Sequence, residues 1–142
     1  MKYEPVEVRT GIATLRRVAP DLLEIIYGPG ITFHAQAVAE VQAQRRDLMG
    51  DRQYGTLTII PGDVDYNTDS MGRNQSVEDQ AKDLMVANAV VVKAEMIELL
   101  TRLYLSYFPQ RQKVLVTTDE EAARTWLLDQ MKAAGCIDGT AR

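Results

Sequence analysis

The chain is poor in the side chains that do most covalent and metal chemistry. Its 142 residues hold one cysteine, Cys136, and one histidine, His34. A single cysteine excludes an internal disulfide, and one imidazole leaves too few nitrogens for the usual zinc sets. Cys136 has no basic neighbour to lower its pKa and follows Gly135 in a polar tail, so it carries no redox motif. Aromatic residues make up only 6% of the sequence and no cluster of Lys or Arg exists, while the net charge is −4. The electrostatic footprint of a nucleic-acid or anionic-membrane binder is therefore missing. No apolar run reaches the ~18–20 residues of a membrane-spanning helix. The first residues, Met1-Lys2-Tyr3-Glu4-Pro5-Val6-Glu7, have no apolar signal core. The expectation is a cytoplasmic protein that binds neither nucleic acid nor membrane.

Catalytic signatures are scarce as well. Gly28-Pro29-Gly30 lacks the third glycine of a dinucleotide fingerprint, and neither a Walker-type Gly-Lys-Ser/Thr nor a serine-hydrolase elbow occurs. His34 has no nucleophile or second titrating group beside it, which favours a packed or capping role over a general base. The reading is a protein without catalytic activity, cofactor or metal.

What is present is a globular composition, 46% hydrophobic and 25% charged, of a size suited to one domain. Two strand-like runs, 12–18 and 22–27, flank the turn signal Ala19-Pro20-Asp21 and read as a hairpin. After Gly28-Pro29-Gly30, Thr32 is a candidate N-cap for a helix over roughly residues 34–49 that stops at Gly50. Residues 54–60 form the next strand. Ser76-Val77-Glu78-Asp79 has a capping-box spacing and opens a helix with Ala81, Leu84, Met85 and Asn88 on one face. Ala89-Val90-Val91-Val92 then reads as a strand buried on both faces. A third helix carries Met96, Ile97, Leu99, Leu100, Leu103, Tyr104, Tyr107 and Phe108 and ends at Pro109. Residues 113–117 are the last strand, and a second capping box from Thr118 starts a helix bearing Ala123, Trp126, Leu127, Gln130 and Met131. The predicted order is β-β-α-β-α-β-α-β-α. That is an α/β domain with a mixed sheet of about five strands and four helices, with a core over roughly 8–134 and a frayed tail at 136–142.

Four segments carry a resemblance: Val8-Arg9-Thr10-Gly11-Ile12-Ala13, Ala87-Asn88-Ala89-Val90-Val91-Val92-Lys93, Leu103-Tyr104-Leu105-Ser106-Tyr107-Phe108-Pro109, and Asp119 through Leu127. Together with the element order, they resemble a family of small uncharacterised bacterial proteins of SpoIIAA-like fold in the STAS superfamily, over roughly residues 8–130. The resemblance implies a regulatory, protein-interaction role like that of anti-sigma factor antagonists, with a protein partner. Those relatives carry an Asp-Ser-Ser-Gly-like loop whose serine is phosphorylated. Here Asp69-Ser70-Met71-Gly72 matches in part, after a longer polar insert, which makes Ser70 the phosphoacceptor candidate.

A phosphate at Ser70 would gain from a helix N-terminus and from Arg73, and would be repelled by Asp63, Asp65 and Asp69. The same alternation of acids resembles the start of a calcium loop. Thr68 and Asn74, however, stand where an EF-hand needs glycine and glutamate, so a solvated acidic loop is the better reading. Asp63, Asp65, Asp69 and Arg73 remain candidates for an interaction loop. The third predicted helix is apolar around more than one face. Leu100, Tyr104, Tyr107 and Phe108 are therefore candidates either for a homodimer surface or for the wall of a small apolar ligand or lipid pocket, the alternative function.

Overall fold

The computed structural model describes residues 4–66, 84–94 and 113–135. Six strands form the main sheet, in the spatial order β1-β2-β3-β5-β7-β8. They are β1 (Val6–Arg9), β2 (Ala13–Ala19), β3 (Leu22–Tyr27), β5 (Tyr54–Ile60), β7 (Met85–Val92) and β8 (Lys113–Thr117). The first three are antiparallel and the rest join in parallel, so the sheet is mixed. Two-residue strands β4 (Thr32–Phe33) and β6 (Asp65–Tyr66) pair in parallel apart from it.

Among the described residues there are two helices, α1 (Ala35–Met49) and α2 (Glu120–Ala133). The sheet thus has one strand more than the five expected. The addition is β1, whose Val6 and Val8 alternate with Glu7 and Arg9 over only four residues. Of the four expected helices, the third lies outside the described residues, as does most of the second.

Strand registers sort the side chains into rows. On one face Leu23, Thr56, Asn88 and Val114 are successive partners, followed by Leu15, Ile25, Thr58, Val90 and Val116. This face joins the larger core, with Val41 and Met49 of α1. On the other face Leu57, Ala89 and Leu115 lie in one row, and α2 covers them with Ala123, Leu127 and Met131. Small residues on β7 (Ala87, Ala89) and Gly55 on β5 let α2 come close. A Cβ at Gly55 would stand 2.5 Å from Met131 Sδ.

The boundaries follow local chemistry. Helix α1 is capped by His34, whose Nδ1 accepts from Ala37 N at 3.4 Å. The predicted cap, Thr32, is instead in β4, because pairing with Asp65 holds its backbone extended. Gly50 ends α1 at φ +64°, a conformation that favours glycine. Helix α2 is capped by Asp119, not Thr118: its carboxylate accepts from Ala122 N at 3.1 Å.

The stripe predicted to place Met85 and Asn88 on a helix is corrected. Both lie in β7, which begins at Met85, four residues before the valine run. Pairing with β5 along its full length overrides the weak helical spacing. The expectation that β7 is buried on both faces holds, since Ala89, Val90, Val91 and Val92 are all buried.

Candidate functional site

Three groups of polar side chains stand out from this frame. The first lies inside it. On β5 and β7, at the centre of the sheet, Thr56, Thr58 and Asn88 share the face of the larger core. Thr58 Oγ1 donates to Asn88 Oδ1 at 2.8 Å. Thr56 is the register partner of both Leu23 and Asn88 and is 0% exposed. Its Oγ1 has no hydrogen-bond partner among the described residues. Asparagine is uncommon in a central strand, and a buried unpaired hydroxyl costs about 1–3 kcal/mol. Two residues before Thr56, Tyr54 accepts from the buried Arg45 Nη1 through its hydroxyl, while Arg45 Nε donates to Gln42 Oε1 at 2.8 Å. The guanidinium is thus held by α1 and β5 together.

The second group is a row of charges of alternating sign. In the row that begins on β1, Glu7 faces Arg16 and Arg16 faces Glu24. Arg124 of α2 reaches Glu24 at 3.2 Å and Glu120 at 3.2 Å, and Glu120 meets Lys93 at 3.5 Å. The signs alternate from the open half of the sheet to the half covered by α2. Hydrogen bonding from Arg124 lowers the pKa of Glu120 first, with the charges of Arg124 and Lys93 adding to it and burial opposing. Such exposed pairs contribute little stability individually, but they fix where the flank of α2 meets β3.

The third group lies on the opposite flank of α2. Asp119, Glu121, Ala122, Thr125, Trp126 and Asp129 line a shallow, wide-open groove on the helix surface. Positions 119, 122, 126 and 129 recur at helical spacing. Trp126 is half-buried, its indole packed against the smaller core, and the three carboxylates are exposed around it. An aromatic face ringed by carboxylates attracts cations, both through the ring quadrupole and by direct charge.

The residues singled out from sequence fall differently. Asp63 and Asp65 are both exposed. Asp65 is not in a free loop, since its N–H donates to Ile31 O at 3.0 Å within the β4–β6 pair. Asp69, Ser70, Arg73, Leu100, Tyr104, Tyr107, Phe108 and Cys136 lie outside the described residues. His34 serves as a helix cap. The Thr56–Thr58–Asn88 cluster is hidden in the sequence because Asn88 fits a helical stripe there. The period-two alternation of polar and apolar residues through Thr56-Leu57-Thr58-Ile59 was the signal that could have found its β5 half. The sequence pattern marks Trp126 as a core residue, and the helical face it shares with Asp119 and Asp129 is the signal for its exposed side.

No helix among the described residues is long and apolar enough to cross a membrane. No curated protein matches the chain in sequence. A family model described as a domain of unknown function, DUF7793, matches residues 17–131, and the chain belongs to that family. Among solved structures, it is similar to an uncharacterized protein of the DUF3478 family with a SpoIIAA-like fold from Shewanella loihica PV-4. The identity is 12%, with 87% of this chain and 92% of that chain covered and a TM-score of 0.43.

Proposed function

We propose that the protein is a cytoplasmic, non-catalytic interaction domain, of the regulatory type that its sequence resembles, and that it acts by protein–protein contact as a homodimer. The observation that carries this reading is the groove on α2. A half-buried indole among Asp119, Glu121 and Asp129 suits a cationic segment of a partner protein, with the carboxylates steering it and the ring receiving a Lys or Arg side chain. Because Trp126 is the only tryptophan in the chain, its fluorescence reports directly on this surface. Titration with a hexa-arginine peptide should shift its emission saturably, and hexaglutamate should not. Glu121→Gln together with Asp129→Asn should weaken the arginine response several-fold. Equal responses to both peptides would refute the groove as the interaction surface. Sedimentation equilibrium tests self-association, and a monomer at all concentrations would refute the homodimer.

A second reading, a carrier of a small apolar ligand, is favoured by a different observation. The unpaired Thr56 hydroxyl sits beside Asn88 and Thr58 on the sheet face of the larger core. Ligand pockets combine such apolar walls with a few placed polar groups.

A further inference from the structure

We infer that the outer edge of β1 is the homodimer interface, pairing antiparallel with β1 of a second copy of the chain about a two-fold axis at Val8. The inference rests on the homodimer reading and names the surface that carries it. β1 ends the main sheet, and among the described residues no strand pairs with its outer side. Such an edge presents N–H and C=O groups that a further strand can take up. The hairpin decides which groups these are. Thr10 N–H donates to Ala13 O at 2.8 Å, and the register continues through Val8–Leu15 and Val6–Arg17. Successive strand residues turn their backbone groups to opposite sides. Val6, Val8 and Thr10 therefore face β2, while Glu7 and Arg9 face outward. Two residues before Glu7, Pro5 has no N–H to offer, and pairing ends there.

The side chains select one register. A two-fold pairing must set outward-facing residues opposite each other. Centred on Glu7, it would oppose two carboxylates and place Arg9 against Pro5. Centred on Arg9, it would oppose two guanidiniums. Centred on Val8, it sets Glu7 against Arg9 of the second copy at both ends, and each pair exchanges both of its backbone hydrogen bonds. Both side chains are exposed and lie on one face. Glu7 also faces Arg16, which faces Glu24, so the alternation of charge runs on across the axis without a break. On the other face Val8 meets Val8 of the second copy, with Val6 diagonal to it. Val6 is one of two large hydrophobic residues exposed among the described residues. Val8 is the register partner of the core residue Leu15, so the apolar row also continues into the second copy. The contact is isologous and uses β1 of both copies, so it closes as a dimer.

The test uses the full chain, with sedimentation equilibrium and backbone amide hydrogen exchange followed by NMR across a range of protein concentrations. The Glu7 and Arg9 amides should become protected as the dimer forms, while those of Val8 and Thr10 are protected at every concentration. Arg9 is exposed and faces Thr14, so Arg9→Glu leaves the β1–β2 pair in place. It opposes carboxylates at both ends and should weaken the dimer about tenfold at low salt, whereas Arg9→Lys should keep it. If a dimer forms while the Glu7 and Arg9 amides exchange freely, the edge pairing is overturned and the homodimer reading stands. The same holds if Arg9→Glu associates as tightly as wild type. A monomer at all concentrations overturns both.

Discussion

The contact between Gly55 and Met131 allows a prediction whose sign is set by packing. Gly55 lies in β5 beneath α2, and its N–H donates to Asp21 O at 3.0 Å. Its φ is not in the left-handed region, so an alanine meets no backbone strain there. In the unfolded chain Gly→Ala reduces entropy, and this alone would stabilise the protein by about 0.4–1 kcal/mol. Against it, the new Cβ would lie 2.5 Å from Met131 Sδ, 2.8 Å from Met131 Cγ and 3.0 Å from Leu127 Cδ1. A methionine at the surface would swing away at little cost. Met131 is 0% exposed and Leu127 is 2% exposed, so the helix itself must lift or the side chains must leave their rotamers. Overpacking of this kind costs about 1–3 kcal/mol.

The packing term is the larger one, and Gly55→Ala should destabilise the protein by about 1–2 kcal/mol. For a chain of this size that corresponds to a drop in Tm of roughly 3–8 °C. Urea unfolding with an unchanged m-value gives the free energy, and calorimetry gives the Tm. The cause is isolated by Met131→Ala, which alone should cost about 2–5 kcal/mol through the cavity it leaves. In that background the added methyl fills space, so Gly55→Ala should become neutral or stabilising, with a coupling of about 1–2 kcal/mol. If Gly55→Ala is as stable as wild type, or if the two changes add, the close approach of α2 to β5 is wrong.

Other perturbations test other parts of the frame. Asp119→Ala removes the cap that accepts from Ala122 N and should cost about 1 kcal/mol in urea unfolding, whereas Thr118→Ala should cost less. Glu120 has a lowered pKa in the folded state, so its contribution is fully present above its unfolded pKa near 4.5 and is lost as pH falls through the lower folded value. Glu120→Gln should therefore lower stability slightly at pH 7 and low salt, with the difference vanishing in strong acid or at 1 M salt. Arg45→Lys should not rescue what Arg45→Ala loses, about 1–3 kcal/mol from the hydrogen-bond partners left unsatisfied. One ammonium cannot reproduce the fork that joins Tyr54 and Gln42.

Where the chain announces its elements strongly, sequence and structure agree. The hairpin over 12–27, the strand over 54–60 and the last strand over 113–117 all have strong local signals, and the hydrophobic rows of β5, β7 and β8 need little else. Disagreements arise where partners distant in sequence decide. Thr32 looks like a cap until Asp65, 33 positions later, pairs with it. Met85 and Asn88 fit a helical stripe until β5 draws them into an eight-residue strand. Val6–Arg9 is too short to stand out alone, and it is a strand because β2 gives it a template. The candidate sites were less legible for the same reason. The Thr56–Asn88 neighbourhood joins residues 32 apart through register, and no linear motif carries it.

The two faces of the sheet differ in a way that bears on function. On the face under α2, the row Glu7, Arg16, Glu24 is charged and continues into Leu57, Ala89 and Leu115, which are apolar. The boundary falls between β3 and β5, where Arg124 reaches across to Glu24. There Arg124 joins Glu24 to Glu120, which places the helix on the sheet. The opposite face has the reverse pattern. It is apolar at Leu15, Ile25, Val90 and Val116, yet polar at the buried Thr56 and Thr58 near its centre, where desolvation is costliest. A sequence selected for stability alone would place valine at Thr56, since the shape is nearly the same and no hydrogen bond among the described residues would be lost. Retaining a hydroxyl in that position carries a cost that the fold does not require.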